Sequence, residues 1–210
     1  MARGADTENM EGMEVTEGTE GAENEEAVER VEDTEAMEDE DGMDVFVGRL
    51  DPEMCVVTAA AGGERAGCLV GFSSQCSIHP VRFVVWLSEA NRTFRVAREA
   101  DVLAVHLLAR EQRGLAELFG GQTGDRVDKF AHVRWRQGHG GAAVLEDVRA
   151  WFVGRILHRV DGGDHVGFVL DPVEWGGARE SRRAARPGAG EGPPLRLGDA
   201  AAIQPGHPAD

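Results

Sequence analysis

The chain alternates between stretches that can build a core and stretches that cannot. Between about residues 43 and 175, apolar runs of strand length are separated by short polar or glycine-rich breaks. Met43–Leu50 alternates loosely and leads into Asp51-Pro52. Cys55–Ala61 (CVVTAAA) predicts a strand, Gly62-Gly63 a tight turn, and Arg65–Phe72 a returning strand, together a hairpin. Val81–Leu87 (VRFVVWL), β-branched and aromatic, predicts a further strand. Asn91–Ala100 carries apolar residues at helical spacing, whereas Val102–Leu108 is continuously apolar and reads as a buried strand. Glu111–Phe119 predicts an amphipathic helix that Gly120-Gly121 should close. Val144–Leu145, Ala150–Val160 and His165–Val173 supply the last strands. The pattern gives six or seven strands and two short helices. Strands mainly follow strands, which points to an antiparallel barrel and away from a doubly wound sheet.

Composition divides the chain into three parts. Residues 1–42 hold 17 of the 38 acidic residues and two of the 22 basic ones, with no aromatic, Leu or Ile. Such a segment cannot bury enough apolar surface to offset its ordering entropy and is expected to be disordered. Residues 176–210, rich in Gly, Ala, Pro and Arg, are expected to form a second disordered tail. The remaining acids and bases, 21 and 20, nearly cancel, so the folded part lacks the electropositive footprint of a nucleic-acid binder. No apolar run reaches the roughly 20 residues of a membrane span. The acidic start lacks the pattern of a signal peptide. Three cysteines (Cys55, Cys68, Cys76), odd in number and without a C-x-x-C pair, fit reduced thiols in a cytoplasmic protein. The seven histidines are scattered without metal-ligand spacing, and no metal site is expected.

Several signatures are missing. There is no G-x-G-x-x-G after a strand and no G-x-S-x-G elbow. Gly120–Asp125 (GGQTGD) lacks the Lys-Ser/Thr ending of a P-loop. Three other stretches can carry chemistry. In 65–93 a strand ends in Ser73, Ser74, Gln75, Cys76 and Ser77, and Pro80 breaks the chain before the next strand. Short hydroxyls and exposed amides there suit a ribityl chain and a phosphate. Asn91-Arg92-Thr93 opens the first helix, where amides and a guanidinium can meet an anion. A polar turn followed by a capped helix explains the same residues equally well. In Asp161–Leu170, Gly162-Gly163 turns the chain so that Asp164 and His165 stand at the mouth of a strand, where the carboxylate can orient the imidazole. A structural histidine is the alternative. Val127–Phe130 reads either as part of a site or as a surface charge pair beside a buried Phe.

The order of these pieces resembles the flavin reductase-like family. It runs G-x-x-x-G-F-S-S-x-x-S-x-x-P, then Leu87-Ser88-x-x-Asn91-x-Thr93, then Val105–Leu108 and Gln112…Leu115-Ala116…Phe119. Asp128-Lys129-Phe130, Trp135…Gly140-Gly141…Leu145 and Gly163-Asp164-His165 follow. The resemblance covers about residues 44–174. It implies a mainly β fold: a six-stranded antiparallel Greek-key split barrel over 43–175 with short helical insertions, flanked by disordered tails. It also implies a homodimer that binds FMN or FAD and takes hydride from NADH or NADPH, often supplying a separate monooxygenase. By the same resemblance Ser73, Ser74, Cys76 and Ser77 hold the flavin ring edge and ribityl chain. Asn91, Arg92 and Thr93 approach the phosphate, Lys129 and Phe130 lie near the cofactor, and His165 with Asp164 serves the nicotinamide side. His79-Pro80-Val81 departs from the family's Asp-Pro-Pro, and Cys76 replaces a small Val or Ala. These departures keep open a non-catalytic FMN-binding or electron-transfer module, or an interaction protein worked by the acidic leader.

Overall fold

The computed structural model describes residues 42–177 and 192–206. The described residues fall into two units, divided between Arg49 and Leu50. In the first, residues 42–47 form a short helix in place of the loosely alternating pattern read there. Its side chains are exposed, so backbone bonds such as Gly48 N–H to the Asp44 carbonyl (2.8 Å) outweigh the pattern.

The second unit is built on one antiparallel sheet. Its strands are β1 (Cys55–Ala61), β2 (Glu64–Val70), β3 (Ser73–Ser77), β4 (Arg82–Ser88), β5 (Val102–Leu107), β8 (Ala150–Asp161) and β9 (His165–Gly177), in the order β2-β1-β5-β8-β9-β4-β3. Two short strands, β6 (Trp135–Gln137) and β7 (Ala143–Leu145), form a separate ribbon. The expected mainly β antiparallel barrel is present, with seven strands in the main sheet where six were expected. The extra strand is β3, a polar run whose membership comes from backbone pairing to β4. The helices are α1 (Arg92–Ala97), α2 (Arg113–Gly121) and α3 (Leu197–Ala200). Helix α2 runs through Gly120 and Gly121 instead of stopping before them.

The β1–β2 hairpin turns at Gly62 and Gly63, whose φ values of 57° and 82° are left-handed and need glycine. Strand β1 lacks two-residue alternation because both of its faces are covered. Cys55, Val57 and Ala59 point into one core with Val85, Leu87, Phe94, Leu103, Phe168 and Leu170. Val56 points into a second core with Leu108, Phe119, Phe130, Leu145 and Leu195. Burying a Leu or Phe side chain of this kind contributes about 1.5–3 kcal/mol.

Three buried polar side chains tie this second layer to the barrel. Thr58 Oγ1 donates to the Ala143 carbonyl at 2.6 Å. His106 sits between the Val56 carbonyl (2.9 Å from Nδ1) and the Leu145 N–H (3.0 Å to Nε2). Lys129 Nζ donates to the carbonyls of Gly67 (3.0 Å) and Phe119 (2.9 Å).

Residues 192–206 correct the expectation of a disordered tail. Leu195 is fully buried; its N–H donates to the Leu108 carbonyl (2.9 Å) and its carbonyl accepts from Met54 N–H (2.8 Å). Ala200 and Ile203 supply further apolar anchors on the same core. Residues 1–41, 178–191 and 207–210 lie outside the described residues, and so does most of the expected leader.

Candidate functional site

The end of β4 organises the chemistry. Ser88, its last residue, pairs with His165, the first of β9, and Glu89 N–H donates to the Asp164 carbonyl at 3.1 Å. The turn before β9 is held by Gly162 N–H to the His165 carbonyl (3.0 Å) and Gly163 N–H to Asp161 Oδ1 (3.0 Å), with Gly163 at φ 96°. Asp164 Oδ1 lies 2.8 Å from His165 Nδ1. That hydrogen bond holds the Asp164 carboxyl below its ordinary range. An ionised carboxylate only accepts, so Nδ1 carries the proton and Nε2 is left for another partner. Phe72, exposed, meets the imidazole edge-on at 5.3 Å between ring centroids. Its carbonyl accepts from Trp86 N–H at 2.9 Å. The Trp86 ring lies against the backbone of Gly162 and Gly167; a Cβ at Gly167 would stand 2.9 Å from the indole.

Strand β3 is the terminal strand of the sheet, so one of its edges keeps unpaired backbone groups. Ser74 and Cys76 are exposed, Ser73 and Ser77 half-buried. Ser73 Oγ accepts from the Cys55 thiol at 3.7 Å. Ser77 pairs with Arg82 at the far end of β4, four residues or about 13 Å from Ser73. Of the serine run, therefore, Ser73 and Ser74 lie nearest the His165 end.

Beyond Ser88 the chain enters a cleft of about 630 Å³ lined by Ala90, Asn91, Arg92, Arg95, the 122–126 loop and Lys129. Asn91 caps α1 by accepting from Thr93 N–H at 3.0 Å. Thr93 is buried and serves the core side, whereas Arg92 is about a quarter exposed. Arg92 donates to the Gly124 carbonyl and lies 3.6 Å from Glu64 and 3.7 Å from Asp125. Asp125 is gripped by Arg95 through both oxygens at 2.9 Å, and that contact lowers its pKa. Four basic residues (Arg92, Arg95, Arg126, Lys129) against one acid leave the cleft electropositive.

Two residues expected near the cofactor, Lys129 and Phe130, are held behind the cleft. Lys129 is only 5% exposed, its ammonium is engaged with two backbone carbonyls, and desolvation lowers its pKa. Phe130 is a core residue packed on Phe119 and Trp135. Both support the cleft from behind. Two contributors escaped the sequence reading: the Gln122–Arg126 loop, set aside because GGQTGD is not a P-loop, and Phe72 with Trp86. The Gly-Asp turn in that loop was the available signal. Among the described residues no group of three or more His, Cys, Asp or Glu side chains could hold a metal ion. No helix among them is long and apolar enough to cross a membrane.

An antiparallel split barrel with a hydroxyl-bearing edge strand and an electropositive cleft defines the class as a β-barrel of the flavin reductase type. The chain belongs to the flavin reductase like domain family, whose match spans residues 47–187. It is 32% identical over 117 residues to FMN reductase (NADH) RutF of Agrobacterium fabrum, covering 56% of this chain and 67% of that protein. It is 31% identical over 137 residues to FMN reductase (NADH) RutF of Variovorax paradoxus, covering 63% and 74%. A "Probable flavin reductase" of Rhizobium meliloti is 30% identical over 114 residues, and there the match spans 52% of this chain but only 36% of the longer relative. In fold it resembles a flavin reductase domain protein from Arthrobacter sp. FB24 (TM-score 0.60, 20% identity, 66% and 84% of the two chains). It also resembles the NADH:FAD oxidoreductase SgcE6 of Streptomyces globisporus (TM-score 0.59, 21% identity, 64% and 80%).

Proposed function

We propose that this protein is an NAD(P)H-dependent flavin oxidoreductase acting on FMN or FAD, and that it hands reduced flavin to a separate monooxygenase. The observation that carries this reading is the placement, at one end of β4, of an oriented imidazole beside an exposed aromatic ring and an electropositive cleft. The donor set fits a phosphorylated isoalloxazine. The cleft supplies guanidiniums for the phosphate, β3 supplies hydroxyls and a free edge for the ring carbonyls and ribityl chain, and Phe72 supplies a face for stacking. Relatives named as NADH-using FMN reductases and as the reductase component of a trigonelline monooxygenase support the co-substrate and the recipient.

When bound, the flavin supplies a two-electron acceptor. The chain's own residues position and polarise. Ser73 and Ser74, with Cys76 and Ser77 farther along β3, would hold the ring edge and ribityl chain, and the free edge of β3 would supply backbone amide donors beside them. Arg92, placed by the Asn91 cap and by Thr93, takes the phosphate, with Lys129 and Phe130 fixing the wall behind it. His165 offers Nε2 to the nicotinamide side, and Asp164 fixes its tautomer. Holding two planar rings together replaces a bimolecular encounter by an oriented one, the main source of rate in such chemistry.

Exposed Phe72, Ile78, Val81 and Val160 support a homodimer, and the three free cysteines support a cytoplasmic setting. The test is a fluorescence titration with FMN and with FAD, followed by nicotinamide oxidation with each flavin under NADH and NADPH. Micromolar binding with turnover is expected. Unchanged fluorescence with both flavins would remove the assignment. Yellow protein without nicotinamide consumption would select the non-catalytic flavin-binding or electron-transfer reading.

A further inference from the structure

The family match stops at residue 187, yet the chain beyond it returns to the domain and runs to the cleft. Residues 193–197 lie along its side: Arg110 N–H donates to the Pro193 carbonyl (2.9 Å) and Leu197 N–H to the Pro52 carbonyl (3.0 Å). Arg110 reaches Asp199 at 2.8 Å, and Ile203 packs against Gly120, where a Cβ would stand 3.2 Å from its methyl group. The strap then ends on the cleft itself. Gly206 N–H donates to the Gly120 carbonyl at 3.0 Å. A Cβ at Gly206 would collide with the Gln122 carbonyl carbon and stand 2.7 Å from Thr123 N. The strap backbone therefore lies directly on the Gln122–Thr123 peptide. That peptide begins the turn in which Arg126 N–H donates to the Thr123 carbonyl (3.2 Å). Pro205 and Gly206 line the same cleft as Arg92, Arg95 and Arg126.

We propose that Pro205 and Gly206, held in place by the 192–206 strap, form a wall of a phosphate-binding cleft and determine its affinity for the phosphate of a nucleotide cofactor. By clamping Gln122–Thr123, Gly206 sets the turn that brings Arg126 to the same cleft as Arg92. A β-carbon at 206 displaces the turn and leaves the arginines without a common focus. Guanidinium–phosphate bonds are strong only when several donors converge, so the loss falls on phosphate recognition and spares the ring. The inference rests on the flavin reading above. The phosphate belongs either to the flavin nucleotide or to the nicotinamide nucleotide.

The experiment compares the full chain with Gly206→Val, and with Arg126→Gln as a variant that leaves the strap packing intact. Each is titrated with FMN and with riboflavin, which lacks the phosphate, assayed for the NADH KM, and melted with and without inorganic pyrophosphate. If the flavin is the source, both variants weaken FMN by about tenfold or more and leave riboflavin unchanged. If the nicotinamide nucleotide is the source, both raise the NADH KM by a similar factor with FMN affinity intact. FMN and riboflavin weakened equally by Gly206→Val would overturn the proposal, making the strap a scaffold only. So would unchanged values in both variants. A wild-type chain that binds neither flavin defeats the flavin reading alone. In that case a pyrophosphate-induced rise in Tm, present in the wild type and absent in both variants, still supports the cleft, and its absence from the wild type overturns it.

Discussion

His106 and His165 mark two regions built to different ends. His106 is fully buried between β1, β5 and β7, and both of its nitrogens are engaged by backbone. Because Nε2 accepts from Leu145 N–H, Nδ1 must be the protonated nitrogen that donates to Val56. Burial pushes its pKa down to about 4. His165 stands at a strand mouth with one nitrogen fixed by Asp164 and the other available. Around His106 every donor has its acceptor and the strands are covered on both faces. Around His165 polar groups, a free strand edge and an aromatic ring are left open. The same side chain is a cross-link where the sheet is covered and keeps a nitrogen available where it is not.

Breaking the covered region should cost most. His106→Ala removes both bonds and leaves a cavity, and about 3–5 kcal/mol of stability should disappear in urea unfolding. Nicotinamide KM values measured well below the transition should stay unchanged. A loss under 1 kcal/mol would erase the contrast between the two regions.

Acid should attack the same point. The folded pKa of about 4 lies below the ordinary 6.5, so the unfolded chain binds the extra proton. Stability contributed by the neutral imidazole is intact above pH 6.5 and lost as pH falls toward 4, by about 3 kcal/mol in all. The depressed carboxyls of Asp125, Asp171 and Glu174 lose their stabilising charge in the same direction at lower pH. Urea unfolding of the wild type and His106→Gln between pH 7 and pH 4 separates the two, and parallel curves would refute the histidine's share.

Lys129→Met strips the ammonium from two buried carbonyls and should cost about 2 kcal/mol, with a several-fold loss of FMN affinity through the loosened wall. The smallest effect on stability, under about 0.5 kcal/mol, belongs to His165→Ala. Its signature is instead a raised nicotinamide KM with flavin affinity retained. Equal losses in both would take His165 out of the nicotinamide role.

Legibility in the sequence follows burial. The runs CVVTAAA and VRFVVWL were readable as strands because β-branched and aromatic side chains carry their own preference. The polar run SSQCS was not, since its place in the sheet depends on β4. The strap was hidden by its Gly and Pro content, although Leu195, Ala200 and Ile203 were its anchors. Asp164 beside His165 was visible from adjacency. The meeting of Arg92 with Gly124, 32 residues away, was not, because no local pattern encodes it. The place of Lys129 near the cofactor follows from the resemblance alone, since its carbonyl partners Gly67 and Phe119 lie 62 and 10 residues away.

The three thiols differ in a way that is useful at the bench. Burial pushes Cys55 up to about 12 and Cys68 up to about 11, whereas Cys76 lies open on β3. A maleimide dye added to the native chain should therefore attach at a single place, along the strand expected to border the isoalloxazine. The unaltered protein thus carries its own attachment point for a fluorophore, and quenching of that dye would register flavin arrival without any engineered cysteine.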